Sequence, residues 1–300
     1  LILPVRSTSS TNVLVINNPF NNALNCHMTF LRKDAFKRLF LCLLLTYSVT
    51  AEAAPSADIA CPVSLSGSDY DETAQVKYVY DGDTLTLHDD RKVRLIGINT
   101  PEMGRKGKPH QPYSIEAKNA LKSLFSADRS IRLLHGIDDE DRYGRMLAHG
   151  FLDDGENIQV KLLKQGLASA IMISPNTRFA SCYLEQERSA RCAGKGIWKK
   201  KRILEAGKLK PNDKGFQIVR GKVKSINSNS KGIWINLEDK LTIGIRPDNR
   251  HLFDLSQIKQ LLDQPVIVRG WINSSKKSTP YYLRVRHPSS IQQEETFECH

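Results

Sequence analysis

The feature that most restricts this chain is a series of short alternating segments, five before residue 153 and five after residue 214, divided by turn residues. Gln75-Val76-Lys77-Tyr78-Val79-Tyr80 alternates and is rich in β-formers, Asp81-Gly82 is a turn pair, and Thr84-Leu85-Thr86-Leu87-His88 alternates again. That pattern predicts a β-hairpin. Lys92 to Ile98 reads as a third strand stopped by Thr100-Pro101, and 131–134 and 145–152 read as two more around an acidic turn at Asp138 to Asp141. Met103 to Pro112 is Gly/Lys/Pro-rich and reads as a loop. Apolar spacing predicts helices from a Ser114 cap to Phe125, over 157–166 ending at Gly166, and over 179–193 ending near Gly194. Five strands with helices between them predict a small β-barrel with helical cover.

The composition then shifts. Lys199-Lys200-Lys201-Arg202 opens a Lys/Gly/Pro/Asp stretch, with 204–214 read as a linker. Residues 215–288 follow the order β-β-β-α-β-β: strands over 216–226, 233–237, 241–246, 265–272 and 281–287, with a helix over 252–262. This is the order of the OB-fold, a five-stranded barrel that often binds oligonucleotides or oligosaccharides. The expected class is thus mainly β with helices, a five-stranded barrel carrying three helices followed by a second, smaller OB-like barrel.

Charge separates these regions. The 300 residues carry 44 Lys+Arg against 32 Asp+Glu, a formal +12, with 40% hydrophobic and 25% charged residues, which excludes collagenous, coiled-coil or wholly disordered chains. No stretch approaches the ~20 apolar residues that span a bilayer. Residues 1–27 carry no readable motif. From Met28, the bases Arg32, Lys33, Lys37 and Arg38 precede an apolar run, Leu39 to Val49, and Ala51-Glu52-Ala53 follows. This is the layout of a secretory signal over 28–53, so the chain is expected to be exported, periplasmic or extracellular, with a loose leader at 54–71. Past residue 53 the excess is +9. Residues 215–288 hold 13 bases and five acids, or +8; the tail 289–300 holds three acids; 54–214 is left at +4. The second module is therefore expected to hold polyanions, with aromatics such as Trp234, Trp271 and Tyr282 available for stacking.

Cys61, Cys182, Cys192 and Cys299 remain after the leader, and an even number in an oxidising compartment predicts disulfides. Four cysteines allow three connectivities. A Cys182–Cys192 bridge is disfavoured, since ten residues of helix separate them by ~15 Å. No cysteine or histidine spacing supports zinc.

Three segments gather carboxylates and arginines: Asp81-Gly82-Asp83-Thr84, Arg94 to Glu102, and Asp141-Arg142-Tyr143-Gly144-Arg145. Oxygen ligands at Asp83 and Asn99 with a nearby carbonyl suit Ca²⁺. Paired arginines grip phosphate, and a glutamate can take a proton from water. Each segment alone has a plainer reading as a hairpin turn, a strand stop, or a turn into a strand. Together and in this order they resemble the staphylococcal nuclease family over about residues 74–198, through to Gln165-Gly166-Leu167-Ala168 and Gly196-Ile197-Trp198. The resemblance implies an OB-like barrel with three helices that hydrolyses phosphodiester bonds of DNA and RNA, leaving 3′-phosphate ends. It implies Ca²⁺ on Asp83, Asn99 and the Thr100 carbonyl, Glu102 as general base, and Arg94 and Arg145 on the scissile phosphate. Arg142 and Tyr143 would contact the neighbouring nucleotide. Two departures stand out: the founding member has Asp where this chain has Asn99, and its base-stacking positions are Met172 and Ser174 here. The family also includes barrels that bind without cutting, but these usually lose several of Asp83, Arg94, Glu102 and Arg145.

Overall fold

The computed structural model describes residues 69–104, 107–200 and 203–299; the upstream segment, the signal, nearly all of the leader, and Cys61 lie outside the described residues. The first barrel runs through β1 (Glu72–Val79), β2 (Thr84–Leu87), β3 (Lys92–Leu95), β4 (Ile98–Asn99), α1 (Ser114–Ser123), β5 (Ser130–Glu140), β6 (Met146–Phe151), α2 (Ile158–Lys164), β7 (Ser169–Ala170) and α3 (Ala180–Cys192). It closes in the order β1-β2-β3-β6-β5, with β3 and β6 parallel. Alternation sends Val76, Leu85, Leu87, Val93, Leu95, Ile131 and Leu133 inward, where they meet Leu121, Ile158 and Leu162 from the helices. Fully burying one such side chain stabilises by about 1.5–3 kcal/mol.

Short-range detail departs from the periodicity. The third strand stops at Leu95 rather than Ile98, because the chain turns at Ile96-Gly97, where Gly97 has φ +82° and a Cβ would lie 2.5 Å from the Tyr183 ring. Ile98–Asn99 instead pairs with Ser169–Ala170 as a separate two-stranded sheet, too short to leave an alternating signature. Ser114 is not the helix cap: Tyr113 takes that place at φ 68°, and Ser114 is the buried first helical residue with no bond to its hydroxyl. Asp138 to Glu140 continues β5 instead of turning, clamped by the Asn176 amide, which accepts from Asp138 N at 3.0 Å and donates to Asp138 O at 2.8 Å.

The second barrel comprises β8 (Leu204–Glu205), β9 (Gly215–Asn229), β10 (Gly232–Leu237), β11 (Leu241–Ile245), α4 (Pro247–Arg250), α5 (Leu255–Gln260), β12 (Pro265–Ser274), β13 (Tyr281–Val285), β14 (Ile291–Gln293) and α6 (Glu294–Phe297). Strands β9-β10-β11-β13-β12 close through a β12–β9 pairing, with β11 and β13 parallel. The two barrels thus share one strand order. The stretch read as a linker supplies β8, an edge strand beside β9, and buries Leu204, Ala206 and Leu209 in this core. The acidic tail supplies β14 and α6: Phe297 packs with Ile218 and Ile267, and Arg220 bonds Glu294 at 2.9 Å. Charge alone cannot report such docking.

Both barrels lie in one unit, and the contacts between them include a buried ion pair and a disulfide. Arg269 on β12 reaches Glu187 on α3 at 2.7 Å, both side chains at most 5% exposed. Cys192 bonds Cys299, with Cα atoms 5.4 Å apart. Cys182 is also disulfide-bonded, so the disfavoured Cys182–Cys192 bridge does not form. Among the described residues no helix is long and apolar enough to cross a membrane.

Candidate active site

The site lies where the β1–β2 turn, the chain leaving β3 and the β5–β6 turn meet. Gly82 permits the first approach: a Cβ there would lie 2.7 Å from Ala117 and 2.8 Å from Thr100. Asp83 is then buried at 5% exposure with both carboxylate oxygens engaged. Oδ2 accepts from Thr100 N at 2.8 Å and faces Arg94 Nη2 at 3.1 Å, while Oδ1 accepts from Thr84 Oγ1 at 3.1 Å. Arg94 is held rigid, donating also to the carbonyls of Leu95 (2.5 Å) and Ile98 (2.8 Å).

Asp141 organises the other arginine. Its Oδ1 accepts from the backbone of Tyr143 (2.9 Å) and Arg145 (3.1 Å), and its Oδ2 accepts from Arg145 Nε (2.9 Å) and Nη2 (2.6 Å). Burial pushes the Asp141 carboxyl up, but these bonds and the adjacent guanidinium leave it below the usual carboxylate value. Arg145 Nη1 also reaches Thr84 Oγ1 at 3.4 Å. Arg94, Asp83, Thr84 and Arg145 therefore form one connected chain: Arg94 pairs with Asp83 directly, and Arg145, itself paired with Asp141, joins it through the Thr84 hydroxyl.

Residues 92–200 match the family described as staphylococcal nuclease homologue. The thermonuclease of Staphylococcus intermedius is 37% identical over 132 residues, 43% of this chain and 77% of that protein. The thermonuclease of Staphylococcus hyicus is 35% identical over 131 residues, covering 43% and 76%. Endonuclease YncB of Bacillus subtilis is 33% identical over 124 residues, covering 40% and 58%. The chain belongs to the staphylococcal nuclease family. It is a nuclease, a phosphodiester hydrolase, and the matched family region ends before β8 begins.

Within this nuclease the expected residues fall as follows. Glu102 is exposed beyond β4; Gln111 fixes its backbone, accepting from Glu102 N at 2.9 Å and donating to its carbonyl at 3.1 Å. Arg142 and the exposed Tyr143 share the Asp141 turn, with the guanidinium 4.7 Å from the ring and bonded to the hydroxyl at 2.6 Å. Met172 lies in the first core at 4% exposure and offers no face to a base. Sequence reasoning placed Asp141 and Thr84 in the key segments without giving either a role, and passed over Gln111. The Asp141–Arg145 spacing of four was visible; the Thr84 bridge and the Gln111 anchor needed three dimensions.

The donor set fits a hard divalent cation such as Ca²⁺. Asp81 is buried beside Asp83, and burial together with the Asp83 charge pushes its carboxyl up to about 7. Two crowded carboxylates of this kind gain from an added cation. The Asn99 amide makes a long 3.5 Å contact with the Thr100 carbonyl, leaving both oxygens with acceptor capacity. Among the described residues no three His, Cys, Asp or Glu side chains gather, so amide and carbonyl oxygens must complete any coordination.

Proposed function

We propose that this nuclease is an exported, Ca²⁺-dependent endonuclease that cuts DNA and RNA alike and leaves 3′-phosphate ends. The observation that carries this reading is the Arg94–Asp83–Thr84–Arg145 chain, which ties two arginines, each paired with its own carboxylate, into one hydrogen-bonded array before any substrate arrives. Asp83, Asn99 and the Thr100 carbonyl would hold the cation, which supplies Lewis-acid polarisation of a phosphoryl oxygen. Glu102 takes a proton from water as its oxygen attacks phosphorus, and the 5′-oxygen departs. Arg94 and Arg145 stabilise the charge that grows on the pentacoordinate phosphorus; because their geometry is fixed in advance, little reorganisation opposes the step. Arg142 and Tyr143 hold the adjoining nucleotide. The Cys192–Cys299 bridge supports an oxidising destination.

Digestion of plasmid DNA and of RNA with Ca²⁺, Mg²⁺ or EDTA, beside Glu102→Ala, tests the proposal. Cleavage of both substrates with Ca²⁺ and its loss in EDTA and in Glu102→Ala are expected. Full cleavage by Glu102→Ala would overturn the mechanism, and cleavage in EDTA would overturn the metal requirement.

A further inference from the structure

The outer face of β10, β11 and β13 carries residues that the nuclease chemistry does not use. Trp234 and Tyr282 stand 6.4 Å apart with their rings tilted by 48°. They are neighbours because the residue between them is Gly244: it pairs with Trp234 on one side and Arg284 on the other, and a Cβ on it would lie 2.4 Å from the Tyr282 hydroxyl. The Tyr282 ring therefore lies across β11 instead of standing clear of it. Two cations border the rings, Arg246 at 6.0 Å and Lys277 at 5.5 Å from the Trp234 centroid.

Strand alternation sends Leu283 and Val285 into the core and leaves Tyr282, Arg284 and Arg286 in an outward row. Successive outward residues on a strand are about 6.6 Å apart, comparable to neighbouring phosphates on an extended single strand. Asp248 pairs with Arg284 on this path. Charge complementarity names one occupant, a polyanion that carries stackable bases.

We infer that this face binds single-stranded nucleic acid, with bases against Trp234 and Tyr282 and phosphates along Arg284 and Arg286. The inference rests on the nuclease reading for the class of ligand, and on the second barrel alone for its contacts. Stacking on aromatic faces tolerates any base, which suits an enzyme that cuts without reading sequence.

The test uses the full chain in EDTA with a fluorescent oligothymidylate of about 20 nucleotides, longer than the ~4–16 that one OB barrel covers. Trp234→Ala/Tyr282→Ala is expected to weaken binding about tenfold or more. Arg284→Ala/Arg286→Ala is expected to weaken it too and to flatten the plot of log affinity against log salt by about 1.4, the value for two phosphate contacts on a single strand. Lys122→Ala, on the exposed side of α1, serves as the charge control. Affinity within twofold of wild type for the folded aromatic double variant, or equally tight binding of inorganic polyphosphate that the double variant leaves unchanged, would overturn the inference. Absence of cleavage in the Ca²⁺ assay would sink the nuclease reading without touching this binding result, so the two failures are distinguishable.

Discussion

The two barrels close in the same strand order and differ in where they keep their charged groups. The first gathers Asp81, Asp83, Arg94, Asp141 and Arg145 at the meeting of three turns, most of them partly or fully withdrawn from water and bonded to one another. The second buries an aliphatic core and leaves its arginines and lysines on the outside, apart from Arg269. One scaffold therefore supports preorganised electrostatics in one copy and a diffuse basic surface in the other. Fold alone assigns neither role.

The contrast would break first at the two arginines proposed to act on the scissile phosphate. Arg145→Ala, which also leaves Asp141 without its partner, should lower kcat by about 10²–10³, while Arg284→Ala should alter KM on long substrates and leave kcat within twofold. Steady-state kinetics on a long and a minimal substrate would separate the two. Equal kcat losses would erase the distinction between the barrels.

Next in size is their junction. Arg269→Met strands Glu187, which also accepts from Ala170 N, and should cost about 3–5 kcal/mol in urea unfolding; adding Glu187→Leu should recover much of that. Because Ala170 pairs with Ile98 beside Asn99, a rise in the Ca²⁺ needed for half-maximal activity should accompany the loss.

Acid should weaken the first barrel. Burial holds His149 down at about 3, with its ring bonded to the Tyr183 hydroxyl at 2.9 Å. The unfolded chain binds this proton near pH 6.5 and the folded chain does not. The contribution is therefore complete above about 6.5 and falls away as pH drops toward about 3, by up to a few kcal/mol. His149→Gln should flatten that part of the stability profile measured by urea unfolding at stepped pH.

The smallest expected effects concern the metal. Asp81 has its folded pKa raised, so its favourable contribution is present below about 4 and is lost as pH rises through about 7. Ca²⁺ should bind more tightly as pH rises through that window, with proton release measurable by calorimetry in two buffers, and Asp81→Asn should remove the dependence. Asn99→Asp should tighten Ca²⁺ severalfold by adding a ligand charge; unchanged affinity would mean Asn99 lies outside the coordination shell.

Much of this plan was legible beforehand. Alternation located both sets of five barrel strands because each has one face in a core, and three short segments named the parts of the site. What periodicity could not report was structure made by single contacts. The β4–β7 pair has two residues per strand, Leu204 and Leu209 sit in a stretch whose lysines, proline and glycine read as a linker, and Phe297 draws an acidic tail onto the junction through Arg191, 3.8 Å from its ring. Thr84 entered the site as a strand residue, and its role as a bridge depends on Arg145, 61 positions away.

The Cys192–Cys299 bond spans 107 positions, so it turns the whole second barrel into a closed covalent loop hanging from the end of α3. A protease that nicks any turn between them produces two chains that stay joined through sulfur until a reductant arrives. The second barrel then remains tethered to the first at high effective concentration, so a single nick changes the molecule's appearance on a reducing gel far more than the proximity of its two barrels.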